Sequence, residues 1–88
     1  MARVYIPVSL RSLTDGQQIV ETDGRSVGEV IASLEANFPG IKARLCQDDE
    51  LNPGLSVAVD GSVSALGLLQ RVESDSELHF LPAIGGGS

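Results

Sequence analysis

The sequence predicts a compact α+β domain in which a sheet wraps over one main helix, and three observations predict it. Short segments near both ends and in the middle alternate apolar and polar residues at period two, the mark of half-buried strands. The segment from Ser26 to Phe38 instead repeats its apolar residues at helical spacing. Clusters of Gly, Pro, Asp and Asn separate these segments. An isolated hairpin is unstable in water, whereas a sheet laid over a helix buries the apolar faces of both.

Residues Ala2 to Val8 read as the first strand, Val4, Ile6 and Val8 alternating with Arg3, Tyr5 and Pro7. Pro7 has no N–H and so belongs near the strand end or on a side facing no neighbour. Turn chemistry follows from Arg11 to Gly16, with Asp15-Gly16 at the tip. Gln18 to Thr22 form a second short strand, Ile19 and Glu21 on one side and Val20 on the other, and the two strands pair as an antiparallel hairpin. Asp23-Gly24-Arg25 breaks the chain. Ser26 and Glu29 then stand at the spacing of a capping box. Val27, Val30, Ile31, Leu34 and Phe38 form the apolar stripe of the helix, which Pro39-Gly40 stops.

Ile41 to Cys46 make a short helical turn with Ile41 and Leu45 inward. Gln47-Asp48-Asp49-Glu50 is expected as a solvated acidic loop and Asn52-Pro53-Gly54 as a turn. Leu55, Val57 and Val59 alternate with Ser56 and Ala58 in a third strand, and Asp60-Gly61 is a hairpin signal. Ser62 to Leu66 read as a minor edge strand. Gly67 to Val72 is irregular, with Leu68, Leu69 and Val72 available to cover a core edge. After the polar turn Glu73–Ser76, the last strand runs from Glu77 to Leu81 with Leu78 and Phe80 on one face. Strand order does not follow from these patterns.

The 88 residues suffice for one domain, which at this size buries roughly 60–65% of its unfolded surface. With Tyr5, Phe38 and Phe80 as the aromatic residues, the core is aliphatic. A formal charge of −6 argues against nucleic acid or an anionic membrane as partner and favours a basic protein surface. The single cysteine, Cys46, excludes an internal disulfide. Lacking a signal peptide or long apolar span, the chain is expected in the cytoplasm.

Residues 1–81 are expected to form the domain and residues 82–88, Pro82-Ala83-Ile84-Gly85-Gly86-Gly87-Ser88, a flexible tail. Three successive glycines lose the most backbone entropy on ordering and have no side chain to bury. Extended, the six residues from Pro82 to Gly87 reach ~20 Å, enough to enter another protein's active site. Without Cβ atoms, glycines also pass a narrow channel. Taken alone, Gly-Gly-Gly-Ser reads as a frayed terminus or a Gly-Ser linker left by cloning.

Elsewhere the residues favour structure over chemistry. His79 alternates with Leu78 and Phe80 and has no Cys/His cluster at metal-ligand spacing, so it reads as a plain strand histidine. Cys46 reads as a small buried hydrophobe rather than a nucleophile. Asp48, Asp49 and Glu50 lack the spacing of a calcium loop. Gly24 and Gly28 are not followed by the Lys-Ser/Thr of a phosphate loop. With no triad or paired acids to assemble, the domain is expected not to be an enzyme and to bind no metal or permanent cofactor.

Together these features resemble the ubiquitin-like sulfur carrier proteins of the ThiS/MoaD type, which have the β-grasp fold. Arg11-Ser-Leu13-Thr14-Asp-Gly16 is similar to their first hairpin. Ser26-Val27-Gly-Glu29-Val30, with Leu34-Glu-Ala-Asn-Phe38-Pro39-Gly40, is similar to their single helix and its exit. Val57-Ala-Val59-Asp60-Gly61 matches the third strand and turn, and Leu81-Pro82-Ala83-Ile84-Gly85-Gly86-Gly87 resembles their closing Leu-Pro-Ala-Val-Ala-Gly-Gly. Within the family the likeness is nearest to the carrier that feeds sulfur to cysteine synthesis.

The resemblance implies a mixed sheet of about four to five strands, and chemistry at the chain end. Gly87 is then the residue adenylated and converted to a thiocarboxylate, with Gly86 as narrow spacer. The implied partners are an E1-like adenylyltransferase/sulfurtransferase that uses ATP and magnesium, and a synthase that accepts the sulfur. Leu81, Pro82, Ile84, Gly85 and Gly86 are the residues expected to dock them. Ser88 departs from the motif, because it ties the Gly87 carboxyl into a peptide bond. Either a protease removes Ser88, or Ser88 is a cloning remnant, or Gly85-Gly86 is the native pair. The alternatives to a sulfur carrier are the small subunit of molybdopterin synthase, a protein modifier that forms isopeptide bonds, and a passive module whose tail is a linker.

Overall fold

The computed structural model describes residues 1–82. Its strands are β1 (Ala2–Tyr5), β2 (Ile19–Thr22), β3 (Cys46–Gln47), β4 (Glu50–Leu51), β5 (Leu55–Val59), β6 (Ser62–Val63) and β7 (Glu77–Pro82); its α-helices are α1 (Val27–Asn37) and α2 (Ile41–Leu45). Five strands form one mixed sheet in the order β2-β1-β7-β5-β6, and β3 and β4 form a separate hairpin. β1 and β7 run parallel, while β1–β2, β5–β7 and β5–β6 are antiparallel. A parallel pair needs a long crossover. Here α1 and everything else between β1 and β7 supplies it, giving the β-grasp arrangement.

The apolar stripe of α1 makes the core. Val27, Val30, Ile31 and Leu34 are buried in one cluster with Val4, Val57, Leu78 and Phe80 of the sheet and Ile41 and Leu45 of α2. At the N-terminus of α1 the Ser26 Oγ accepts the Glu29 N–H at 3.2 Å. The Glu29 carboxylate reaches back to the Arg25 N–H at 3.1 Å rather than to that of Ser26, so the capping box closes one residue upstream. Gly24 lets the β2–α1 connection lie against the helix, since a Cβ there would stand 2.7 Å from the Val30 nitrogen. Beyond α1, Gly40 takes a left-handed φ of 101°. The Glu35 carboxylate there accepts the N–H groups of Gly40 at 3.1 Å and Lys42 at 2.9 Å, which holds it below its usual range.

Several boundaries differ from the sequence reading. The first strand ends at Tyr5, and Val8–Thr14 form a 3-10 helix rather than strand and open turn. The cause is Pro7, which donates nothing to a ladder and whose carbonyl accepts the Leu10 N–H at 2.9 Å. Val8, expected on the buried side, is exposed in consequence. The acidic loop is the tip of the β3–β4 hairpin, where Asp48 and Asp49 take φ of 54° and 62°. Two adjacent left-handed residues are what a tight hairpin turn requires, and aspartate tolerates them.

The edge strand β6 stops at Val63, three residues short of Leu66. There the Ser64 hydroxyl donates to Gln70 at 2.6 Å and accepts the Leu66 N–H at 3.0 Å, which turns the chain off the sheet. Within residues 67–72, Leu68 packs against the core and Val72 is buried, but Leu69 points to solvent.

Candidate functional site

The strand that leads to the C-terminus is the middle strand of the sheet. β7 pairs over Leu78–Pro82 with β5 and over Glu77–His79 with β1. Leu78 and Phe80 point into the core, so Glu77, His79 and Leu81 point to the opposite face. The strand is fastened at its start by Asp60, whose carboxylate accepts the Glu77 N–H and the buried Ser76 hydroxyl, each at 2.9 Å. Its far end runs one residue past the expected Leu81. Pro82 sits opposite Leu55 without disrupting the ladder. The Asp60 N–H bonds to the Glu77 carbonyl at 2.9 Å, which by alternation makes Leu55–Pro82 a non-hydrogen-bonded pair. The Leu55 N–H is taken by the Asn52 carbonyl at 2.8 Å, so the missing N–H of Pro82 costs nothing on that side.

The face of the sheet turned away from α1 carries an apolar row across strands. The pairings Tyr5↔Ile19, Tyr5↔His79, Ala58↔His79 and Ala58↔Val63 place Ile19, Tyr5, His79, Ala58 and Val63 side by side. Ile19 and Val63 are exposed. Tyr5 and His79 stack with ring centroids 4.1 Å apart and planes 12° from parallel, an apolar platform with polar edges. Leu81, 40% exposed, stands two residues further along on the same side, next to Ser56 of β5. Below this row, the neighbouring positions Glu21, Arg3 and Glu77 form a charged border, with Arg3 and Glu77 paired at 3.0 Å.

Of the residues singled out in the sequence, Leu81 and Pro82 are exposed at the end of β7. Ile84, Gly85, Gly86, Gly87 and Ser88 lie outside the described residues. Tyr5, Ile19, Ala58 and Val63 were not singled out. Their signal is available in the alternation of each strand, which puts apolar side chains at outward positions, but it becomes a surface only once strand order is known. His79, read as a plain strand residue, lies at the centre of that surface. Cys46 is half-buried; burial pushes its thiol up, nearby Lys42 works against that and Asp49 adds to it. Among the described residues no group of three or more His, Cys, Asp or Glu is placed to hold a metal ion. No helix among them is long and apolar enough to cross a membrane.

A five-stranded mixed sheet clasping one helix, with the last described strand in its middle, defines a small ubiquitin-like β-grasp protein. The chain belongs to the ThiS family, whose model matches residues 4–87. It is 38% identical over 91 aligned positions to the sulfur carrier protein CysO of Mycobacterium tuberculosis, the match covering 96% of each chain. It is 31% identical to small archaeal modifier protein 3 of Haloferax volcanii, over 74% of this chain and 73% of that one. Among solved structures it superimposes on a chain of the Amycolatopsis orientalis BexX/CysO complex with a TM-score of 0.90 and 36% identity, covering 99% of this chain and 100% of that one.

Proposed function

We propose that this protein is a sulfur carrier that works as a co-substrate rather than as a catalyst, with its chemistry at Gly87. An ionised carboxylate is a poor electrophile. An E1-like partner overcomes this with ATP and magnesium: a carboxylate oxygen of Gly87 attacks the α-phosphorus, pyrophosphate leaves, and an acyl adenylate forms. A sulfur donor then attacks the acyl carbon and AMP departs, leaving a thiocarboxylate. A synthase takes that sulfur for cysteine or another sulfur-containing metabolite, in the cytoplasm. Forming an activated acyl species divides one difficult step into two easier ones. Gly86 and Gly85 pass the partner's channel, and Ser88 is removed first by a protease so that the Gly87 carboxyl is free.

The observation that carries this reading is the placement of β7. The last described strand is held by β1 over Glu77–His79 and by β5 as far as Pro82, beside an apolar face, which makes it a firm base for chemistry further along the chain. The full-length likeness to CysO proteins supports it. Tyr5, His79 and Leu81 then form the middle of the docking face for the activating enzyme, with Ile19 and Val63 at its edges. In the BexX/CysO complex a relative of this chain has a protein partner, which supports a carrier that docks.

The test is to incubate the chain ending at Ser88 and the chain ending at Gly87 with the cognate activating enzyme, ATP and a sulfur donor, and to weigh the intact products. The Gly87 form gains the mass of sulfur replacing oxygen and the Ser88 form does not. Equal adenylation of both forms refutes the role of Ser88, and adenylation of neither refutes the carrier reading. A second reading, protein modifier, is favoured by the 31% identity to an archaeal modifier protein. Higher-mass conjugates of the Gly87 form in cell extracts support it.

A further inference from the structure

We infer that a groove on the helix side of the molecule is a second docking surface, and that it takes a partner protein presenting an apolar knob ringed by lysine or arginine. The groove has a volume of ≈ 450 Å³ and runs between the β3–β4 hairpin, at Asp49, Glu50 and Leu51, and residues 65–69. Its floor is fixed to the body of the protein. Leu51 and Leu68 pack against the core, and the Leu68 carbonyl lies so near α1 that a Cβ on Gly28 would stand 3.3 Å from it. The groove thus lies across the sheet from the Tyr5–His79–Leu81 face, and a partner on one leaves the other open.

Two features say what fills it. Leu66 and Leu69 stand three apart around the 3-10 turn Gly67–Leu69, so they share one side of it. That side faces water: Leu66 is 60% and Leu69 82% exposed. The turn is tied by N–H bonds from Leu69 to Leu66 and from Gln70 to Gly67, both 3.1 Å, so the leucines are displayed by an ordered backbone. Adjacent apolar side chains on a tied turn, covered by none of the described residues, give a partner an apolar patch to bury. Beside them Asp49 and Glu50 line the groove and are exposed, and the one ion pair among the described residues is Arg3–Glu77, so neither has a basic partner there. A second copy would bring its own acidic rim against this one, and an anionic lipid surface is repelled likewise. A basic-rimmed protein surface is complementary to both features.

This inference goes beyond the sulfur-carrier reading and does not depend on it. It is tested on the full chain by amide NMR, with an amphipathic helical peptide of leucine and lysine as probe and a leucine–glutamate peptide of the same pattern as control. The lysine peptide is expected to shift residues 49–51 and 65–69, to bind more weakly as salt rises, and to outbind the glutamate peptide. Leu66→Ser with Leu69→Ser, and separately Asp49→Asn with Glu50→Gln, are each expected to weaken binding about tenfold or more. Asparagine keeps the left-handed turn that another residue would strain. Both sets are expected to keep the wild-type melting temperature and rate of adenylation, which separates failure of this groove from failure of the carrier reading. Shifts that map to Tyr5, His79 and Leu81 instead, equal binding of both peptides, or unchanged affinity in both variants overturn the inference. Self-association that the leucine variant abolishes overturns it in favour of a second copy.

Discussion

Asp60 does two jobs that no other residue type does as well. It takes a left-handed φ of 52° at the β5–β6 turn, and its two carboxylate oxygens hold the Glu77 N–H and the Ser76 hydroxyl where β7 begins. Asp60→Ala loses both charge-assisted bonds, leaves the buried Ser76 hydroxyl accepting the Glu73 N–H but with no acceptor for its own proton, and strains the turn. It is expected to cost about 2–3 kcal/mol. For a domain of this size that lowers the melting temperature by about 10 °C or more, measurable by calorimetry. Asp60→Asn keeps the turn and part of the bonding and should lose roughly half as much. The sequence identified Asp60-Gly61 as a hairpin, but not the clasp, which depends on a strand arriving from seventeen residues further on. Cys46 shows the opposite balance. Burial favours its thiol form, so the folded protein is expected to react with an alkylating reagent at neutral pH several-fold more slowly than the urea-unfolded chain.

The elements divide according to how local their causes are. α1 was legible because its cap, its stripe and its Pro-Gly stop all lie within fifteen residues from Ser26 to Gly40. The 3-10 helix at Val8–Thr14 was not, because its apolar residues share a period with neither template and side-chain bonds to the backbone at its two ends help to set it. Arg11 Nε donates to the Ile6 carbonyl at 3.1 Å and the Thr14 hydroxyl donates to the Gln17 carbonyl at 2.9 Å. The α1–α2 junction carries a pH signature. The N–H groups of Lys42 and Gly40 stabilise the ionised Glu35, so its carboxyl titrates below the unfolded value. A depressed acid contributes stability above its unfolded pKa and loses it as pH falls through the folded one. Glu35→Gln is therefore expected to be less stable than wild type at neutral pH, with the gap closing on acidification below about pH 4. Urea midpoints measured across that range decide it, and a gap independent of pH refutes it.

At the scale of the whole molecule, the sequence conveyed the layers but not their closure. Alternation marks which residues of a strand face out, yet the row Ile19–Tyr5–His79–Ala58–Val63 is assembled from four strands whose order no local pattern encodes. The parallel β1–β7 contact joins Arg3 to Glu77 across nearly the full chain. That closure separates folding from function. Every buried residue among those described lies between Ala2 and Phe80, and β7 reaches Pro82, the last described residue. A chain ending at Pro82 therefore retains the whole described core and is expected to melt within about 2 °C of the full chain, a change of no more than about 0.5 kcal/mol. The same truncation removes Gly87 and should abolish adenylation altogether. Leu81→Asp is its complement: it keeps the chain end and the core but puts a charge on the open face of the sheet, where the activating enzyme is proposed to dock. It should melt near wild type while raising the KM for the carrier about fivefold or more with kcat little changed, because docking binds ground and transition states alike. If truncation at Pro82 melts the domain, residues 83–88 are part of its core; if Leu81→Asp lowers kcat and leaves KM alone, the open face of the sheet is not where the activating enzyme docks.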